Sequence, residues 1–191
     1  TNPPTAGNTT RKDFRETAFF FPQLQADTNG EYRFSFTMPE ALTTWKWQLL
    51  AHTTHLAVGT SVQNIITQKE LMVQPNMPRF LREGDRLEIT TKVVNLGAQE
   101  MTGQAELQLI DATTNQPIDG WFNNFFPNQY FTVAPGSSEL VKFPVEVPYL
   151  FDKLLTYKII ARSGNFSDGE EASIPVLSNR QLVTETLPFY L

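Results

Sequence analysis

Two histidines stand three residues apart and are the first candidates for a metal site. They are His52 and His55, and the sequence contains no other histidine and no cysteine. Structural zinc sites take four nitrogen, sulfur or carboxylate ligands, and residues three apart on a strand point to opposite faces of the sheet. The sequence therefore predicts two solvated loop histidines and no metal-ligating residues.

Neighbouring carboxylates could supply acid–base chemistry or hold calcium. Glu170 and Glu171 are adjacent, but neighbouring residues of a strand point in opposite directions, so we predict two solvated charges. The segment 27–31 resembles the start of a calcium loop, yet Met38 stands at the twelfth position, where such a loop carries an acidic ligand. We predict a turn there.

Other active-site patterns are missing from the sequence as well. No Ser/His/Asp arrangement and no phosphate-binding glycine loop can be assembled, and the lack of cysteine excludes a disulfide framework and a cysteine nucleophile. The net charge of -5 argues against nucleic-acid binding, and no apolar run is long enough to span a membrane. The chain is predicted not to be an enzyme, with no catalytic or cofactor-binding residues, no cofactor, no nucleic-acid partner and no direct membrane insertion.

The surrounding elements are predicted to be short strands, because apolar and polar residues alternate through most of the chain. About seven strands are expected from Met72 to Leu177, and about four before them, while helical spacing is almost absent. This pattern predicts an all-β fold of antiparallel β-sandwiches, one partial and one complete. The strands that matter below are 32–38, the clearest by alternation; 43–51; 60–68, with a bulge; 87–93; 103–111; 140–145; 154–162; and 170–177, entered through a turn at 165–169.

The stretch Leu71–Gly97 is predicted to be the boundary between two β domains. Pro75 and Pro78 each lack a backbone donor, so they predict a bend or a position on a sheet edge. A turn is expected at Arg82–Asp85, with Gly84 free to take positive φ.

Two aromatic groups, Phe19–Phe21 and Trp121–Phe126, could be either packed residues or binding surface. Because small sandwiches need large side chains between their sheets, we predict that both groups pack in the core or within their own loops. The alternative is an extracellular adhesion or carbohydrate-binding module that uses the group at Trp121–Phe126.

Several short motifs, in order, resemble the alpha-2-macroglobulin and complement family. They are Arg11-Lys-Asp-Phe-Arg-Glu-Thr17, Thr43-Thr-Trp45, Met77-Pro-Arg-Phe-Leu-Arg-Glu-Gly-Asp85 and Val93-Val-Asn-Leu96. The segments Pro78–Arg82 and Asn179–Thr186 are closest to the bacterial members. The chain is therefore expected to be an internal fragment of a bacterial alpha-2-macroglobulin-like protein.

The resemblance implies a division of the chain into four parts. Residues 1–10 would be a linker, and residues 11–70 the latter part of a macroglobulin-type domain that follows the bait region. Residues 71–177 would form a complete macroglobulin domain with a fibronectin-III-like sandwich. Residues 178–191 would begin the following CUB-like segment.

The resemblance also implies a function that the residues alone do not supply. The parent would be a broad-spectrum protease inhibitor that traps proteases, and this part would couple bait cleavage to movement of a downstream thioester domain. Its partners would be proteases, through the full-length protein, and neighbouring domains of the same chain. Bacterial members are exported, so a periplasmic, cell-surface or extracellular location is expected, often as a lipoprotein. The thioester, bait sequence and oligomeric state stay open.

Overall fold

The computed structural model describes residues 10–180 and 183–186, and nearly all of its regular structure is β-strand. Within that part of the chain the only helix is a single 3-10 turn, Asp119–Phe122, which is far too short to cross a bilayer. The all-β, antiparallel prediction is confirmed. Among the pairings between named strands, one departs from it, because β4 lies parallel to β11. The strands are β1 Thr44–His52, β2 Val58–Ile66, β3 Leu71–Asn76, β4 Leu81–Arg82, β5 Arg86–Asn95, β6 Met101–Asp111, β7 Gln116–Pro117, β8 Asn128–Val133, β9 Ser138–Glu146, β10 Leu154–Ser163 and β11 Phe166–Leu177.

Strands β3 to β11 form a sandwich of two sheets. One sheet has six strands in the order β4-β11-β10-β6-β7, with β8 also paired to β6, and the other has three strands in the order β3-β5-β9. Residues of one parity on each strand fill the space between the sheets. Ala105, Leu107 and Leu109 of β6 are 0% exposed, as is Phe143 of β9. Every member of the buried hydrophobic cluster lies between Leu71 and Val176.

The region 71–97 has the predicted local structure. Pro75 lies on β3, an edge strand of its sheet, opposite Thr91 of β5. The turn at Arg82–Asp85 is present, with Gly84 at φ 80° and a hydrogen bond from the Asp85 amide to the Arg82 carbonyl. The short strand β4, which precedes this turn, could not be predicted from alternation because it is only two residues long.

The part before residue 71 contains two strands within its described residues, not the expected four. Strands β1 and β2 form an antiparallel hairpin whose register runs without interruption from Thr44↔Ile66 to His52↔Val58. The predicted bulge in β2 is therefore wrong. Apolar and polar residues do not alternate regularly in β2 because all nine of its residues are exposed, so neither face requires apolar side chains.

The strand predicted for 32–38 is also wrong. No strand is assigned in this described segment, although its alternation is real. Phe34 and Phe36 both pack against Phe19, with ring centroids 5.5 and 4.3 Å away, and Trp47 joins the same cluster. Alternation thus places side chains on one side of the segment, but no neighbouring strand completes a hydrogen-bond ladder with its backbone.

Two predicted boundaries need correction. The turn expected at 165–169 is a tighter hairpin, in which Ser163 pairs with Phe166 and Gly164 takes φ 55°. Strand β11 therefore begins four residues before the predicted start at Glu170. At the chain ends, residues 1–9 of the predicted linker and residues 181–182 and 187–191 of the predicted CUB-like segment lie outside the described residues, and the described residues 178–180 and 183–186 contain no strand.

Candidate functional site

A buried ion pair ties the first described residues to the last long strand. The Arg11 Nε and Nη2 atoms donate to the two carboxylate oxygens of Asp168, each over 3.0 Å. Arg11 is 7% exposed and Asp168 is 2% exposed. This two-bond geometry is the strong form of an arginine–carboxylate pair, and the sequence distance of 157 residues makes it a long-range connection.

The same pair occupies the outer edge of β3. The Val73 amide donates to Asp168 Oδ2 over 2.9 Å, and the Val73 carbonyl accepts from Arg11 Nη2 over 3.0 Å. Lys69 Nζ adds a further bond to Asp168 Oδ1, also over 3.0 Å. Two side chains therefore replace the backbone ladder that another strand would offer Val73. We call Arg11, Asp168, Lys69 and Val73 the Arg11 anchor.

The backbone around Arg11 also pairs with β11. The Arg11 amide donates to the Gly169 carbonyl over 2.8 Å, and the Glu171 amide donates to the Arg11 carbonyl over 3.0 Å, which forms a parallel bridge. A Cβ atom at residue 169 would lie 2.8 Å from the Thr10 methyl group. Glycine at this position therefore permits the close approach of the two segments.

Glu40 holds the other side of the same segment. Its Oε2 atom accepts hydrogen bonds from the Lys12 amide over 2.6 Å and from the Asp13 amide over 3.1 Å. The Lys12 amide, followed by the Asp13 amide, lowers the pKa of the Glu40 carboxyl, because both bonds favour the charged form. Residues Arg11 to Asp13 are thus held between β11 and Glu40.

Glu170 lies next to the Arg11 anchor and is not the solvated charge that the sequence predicted. Its side chain is only 20% exposed, and Oε2 lies 3.6 Å from Arg11 Nη2. The Tyr157 hydroxyl donates to Oε1 over 3.3 Å. Burial raises the pKa of the Glu170 carboxyl, and the nearby Arg11 charge and Tyr157 bond oppose this only in part. Burial beside Glu170 likewise raises the pKa of the Tyr157 phenol.

A second anchor lies at the other end of β11. Glu83 is 4% exposed, and its Oε2 atom accepts from the Asn179 amide over 3.1 Å. The Asn179 side-chain amide donates to the Glu83 carbonyl, and the Glu83 amide donates to the Leu177 carbonyl. We call Glu83 and Asn179 the Glu83 anchor. It holds the chain where it leaves β11.

The other predicted sites fall where no shared chemistry is possible. His52 ends β1 and His55 lies in the hairpin turn, and both are exposed. Within residues 10–180 and 183–186, no three histidine, cysteine, aspartate or glutamate side chains come together as a metal site. The segment 27–31 is a turn, as predicted, with the Gly30 amide donating to the Asp27 carbonyl.

The aromatic groups divide differently from the prediction. Phe19 and Phe21 do pack, against each other and against Phe34, whereas Phe20 is 80% exposed. In the second group only Phe122 is buried, against Phe151, with ring centroids 5.1 Å apart. The prediction of loop packing is wrong for three of its members, which point to solvent: Trp121 at 65%, Phe125 at 69% and Phe126 at 70% exposure.

Sequence reasoning missed both anchors, although one signal was available for the first. Along β11 the inward-facing positions are those of Ile174 and Val176, and stepping back by twos from them reaches Asp168. An acidic residue on the buried face of a strand requires a partner. Its identity as Arg11 could not be deduced, because the pairing depends on the fold.

Comparison with known proteins finds similarity to one family. The family model described as the alpha-2-macroglobulin family matches residues 17–107. An alpha-2-macroglobulin homolog of Nostoc sp. is 32% identical over 104 residues, which are 52% of this chain and 6% of that protein. The alpha-2-macroglobulin of Thermotoga maritima is 27% identical over 99 residues, again 52% of this chain and 6% of the relative. These similarities support an assignment to the alpha-2-macroglobulin family.

Solved structures of the family share the fold. Trypsin-activated alpha-2-macroglobulin of Escherichia coli superimposes with a TM-score of 0.60 at 15% identity, over 80% of this chain and 10% of that chain. The native form of the E. coli protein gives a TM-score of 0.57 over 80% of this chain and 9% of that one. The chain thus spans only about a tenth or less of the length of the alpha-2-macroglobulin relatives that it matches.

Proposed function

We propose that this chain is a structural part of a bacterial protease trap, in which it couples cleavage of a bait region before Arg11 to movement of a thioester domain after Ser178. The family consists of protease inhibitors and not enzymes, and the E. coli relative was solved after activation by trypsin and after activation by porcine elastase. The proposed role is mechanical.

The Arg11 anchor is the observation that carries this proposal. A segment released by cleavage just before Arg11 would keep its new end fixed to β11 by the two-bond ion pair of Arg11 with Asp168 and by two backbone bonds. After such a cut, the segment would stay attached to β11. We therefore expect a displacement of the Arg11 segment to act directly on β11.

Strand β11 also connects the two anchors. Asp168 lies near its start and Leu177 at its end, where the Glu83 anchor takes over. A strand rises about 3.3 Å per residue, so the two anchors are held roughly 30 Å apart along one strand, which pairs with β10 from Phe166 to Pro175. A shift at Arg11 would therefore reach Asn179 without passing through a flexible loop.

The location proposed for the parent is the periplasm or the cell surface, as in exported bacterial members of the family. This location would bring the protein into contact with foreign proteases. Its protease partners would be engaged by the full-length protein and not by this region alone.

The test uses the full-length parent protein and a broad-specificity protease. Sequencing the new N-terminus should place the cut shortly before Arg11, and the hydrodynamic radius should fall while the protease stays bound. The Asp168→Asn variant should be cut at the same place but compact more slowly, whereas Arg33→Ala, at an exposed ion pair, should behave like the wild type. Cleavage without compaction or without retained protease would contradict the proposal.

A further inference from the structure

The surface formed by Trp121, Phe125 and Phe126, here called the aromatic loop, has an unusual composition. Between Asp111 and Glu139 the only charged residue is Asp119, although charged residues make up 18% of the chain. The three aromatic side chains are 65–70% exposed, and Tyr130 of the adjoining β8 is 82% exposed. Exposed aromatic surface that is poor in charged residues is typical of the centre of a protein–protein interface.

The loop is held rigidly in this exposed form. The Asn124 amide donates to the Asp119 carbonyl, and its side chain donates to the Leu107 carbonyl and to Asp119 Oδ1. Asp119 Oδ1 also accepts from the Leu109 amide, so the one charge in the loop is used internally. Phe122 fixes the loop to the core from below. Polar groups therefore point inward while aromatic rings point outward, and binding would cost little further ordering.

The hydrogen-bonding groups favour a protein over a sugar as the occupant. Recognition of a carbohydrate needs polar side chains beside the aromatic rings to bind hydroxyl groups. Here the side-chain amide of Asn123 donates to Glu146, that of Gln129 to the Phe126 carbonyl, and that of Asn124 to the loop itself. These amides bind within the chain, so the aromatic loop presents mainly apolar contact area.

We infer that the aromatic loop is the docking surface for another domain of the same polypeptide, which presents an uncharged apolar face. The matched region makes up only 6% of the Nostoc relative, so a sandwich in a protein of that size has many neighbouring domains. This inference rests on family membership and on the loop, and it does not depend on protease trapping.

The test measures the loop within the full-length parent. Hydroxyl-radical footprinting should modify Trp121 at least about tenfold more slowly in the native protein than in the denatured protein, because a ring at an interface centre is shielded from solvent. The Phe125→Glu variant should lower the midpoint of thermal unfolding and raise the radius of gyration. Leu140→Glu is the matched control, since Leu140 is 63% exposed on β9 and faces Lys92 across the strand pair; it should leave both quantities unchanged.

Three results would overturn the inference. Trp121 could be modified as fast in the native as in the denatured protein, which would leave the loop in solvent. Its protection could appear only when an oligosaccharide is added, which would make it a sugar site. Protection could also be lost on dilution together with a fall in mass by light scattering, which would assign the surface to a second copy.

Discussion

At the scale of single residues, Asp168 accepts four hydrogen bonds and is the centre of the Arg11 anchor. We expect Asp168→Ala to lower the free energy of unfolding by about 3–5 kcal/mol, because it leaves the Arg11 guanidinium buried without its partner. Urea titration followed by near-ultraviolet circular dichroism measures the change.

The control for this variant is an ion pair on the surface. Arg33 and Glu31 are paired, but their side chains are 81% and 55% exposed. Arg33→Ala should change the free energy of unfolding by less than about 1 kcal/mol, because water screens exposed pairs. Equal effects of Asp168→Ala and Arg33→Ala would show that the buried pair carries no special weight.

Glu170 should make stability depend on pH. Burial raises its folded-state pKa above the ordinary 4.5. At a pH between the unfolded-state pKa and the folded-state pKa, the folded state therefore binds more protons than the unfolded state. Stability from this group therefore falls as the pH rises through that window. Glu170→Gln removes this titration. The free energy of unfolding of the variant minus that of the wild type should therefore be more positive at pH 7 than at pH 4. Urea midpoints at the two pH values measure this, and a pH-independent difference would contradict it.

Residue-scale prediction from sequence succeeded where local rules decide and failed where the fold decides. The positive φ of Gly84 and the turn after Asp27 follow from local chemistry alone. The burial of Glu170 does not, because it depends on Arg11 and Tyr157 being brought together from distant parts of the chain.

At the scale of elements, β6 is the central strand that pairs with both β10 and β8. A Cβ atom at Gly103 would lie 2.1 Å from the Arg162 carbonyl oxygen and 2.8 Å from the Phe131 ring. We expect Gly103→Ala to destabilise the protein by at least about 1–3 kcal/mol, since the backbone of β10 must move.

Gly59 offers a matched comparison for this substitution. It also lies in a strand, β2, but a Cβ atom there would meet nothing within 4 Å. Gly59→Ala should be neutral or stabilise the protein by up to about 1 kcal/mol, because the unfolded chain loses freedom. Differential scanning calorimetry should show a lower midpoint of thermal unfolding for Gly103→Ala. The midpoint for Gly59→Ala should be unchanged or higher.

Element prediction was accurate for strands that have one buried and one exposed face. Strands β5, β6 and β9 alternate as expected because each packs one face on the core. The segment 32–38 alternates equally well but has no strand to pair with. Alternation reports which side is buried and not whether a ladder forms, while β4 and β7 are too short to alternate at all.

At the scale of the whole molecule, the two regions differ in how completely they are packed. The β1–β2 hairpin has only two strands, and isolated hairpins are marginally stable, whereas β6 and β10 are buried in a six-stranded sheet. We expect backbone amides of β1 and β2 to exchange with deuterium at least about a hundredfold faster than those of β6 and β10. Hydrogen-exchange mass spectrometry of this chain measures the ratio, and similar rates would contradict the expected difference.

The way Arg11 and Asp168 cover β3 affects how the protein resists aggregation. Along the outer edge of β3, Pro75 has no amide to offer, and both polar backbone groups of Val73 are already bonded to side chains. This edge therefore has little left with which to recruit a strand from another molecule. Loss of the Arg11 segment would free the Val73 carbonyl, which accepts from Arg11 Nη2, beside buried apolar residues, and would leave Asp168 without its arginine partner. Cleavage on the C-terminal side of Arg11 would thus allow the edge of β3 to pair with a strand of another molecule and to start intermolecular β-sheet.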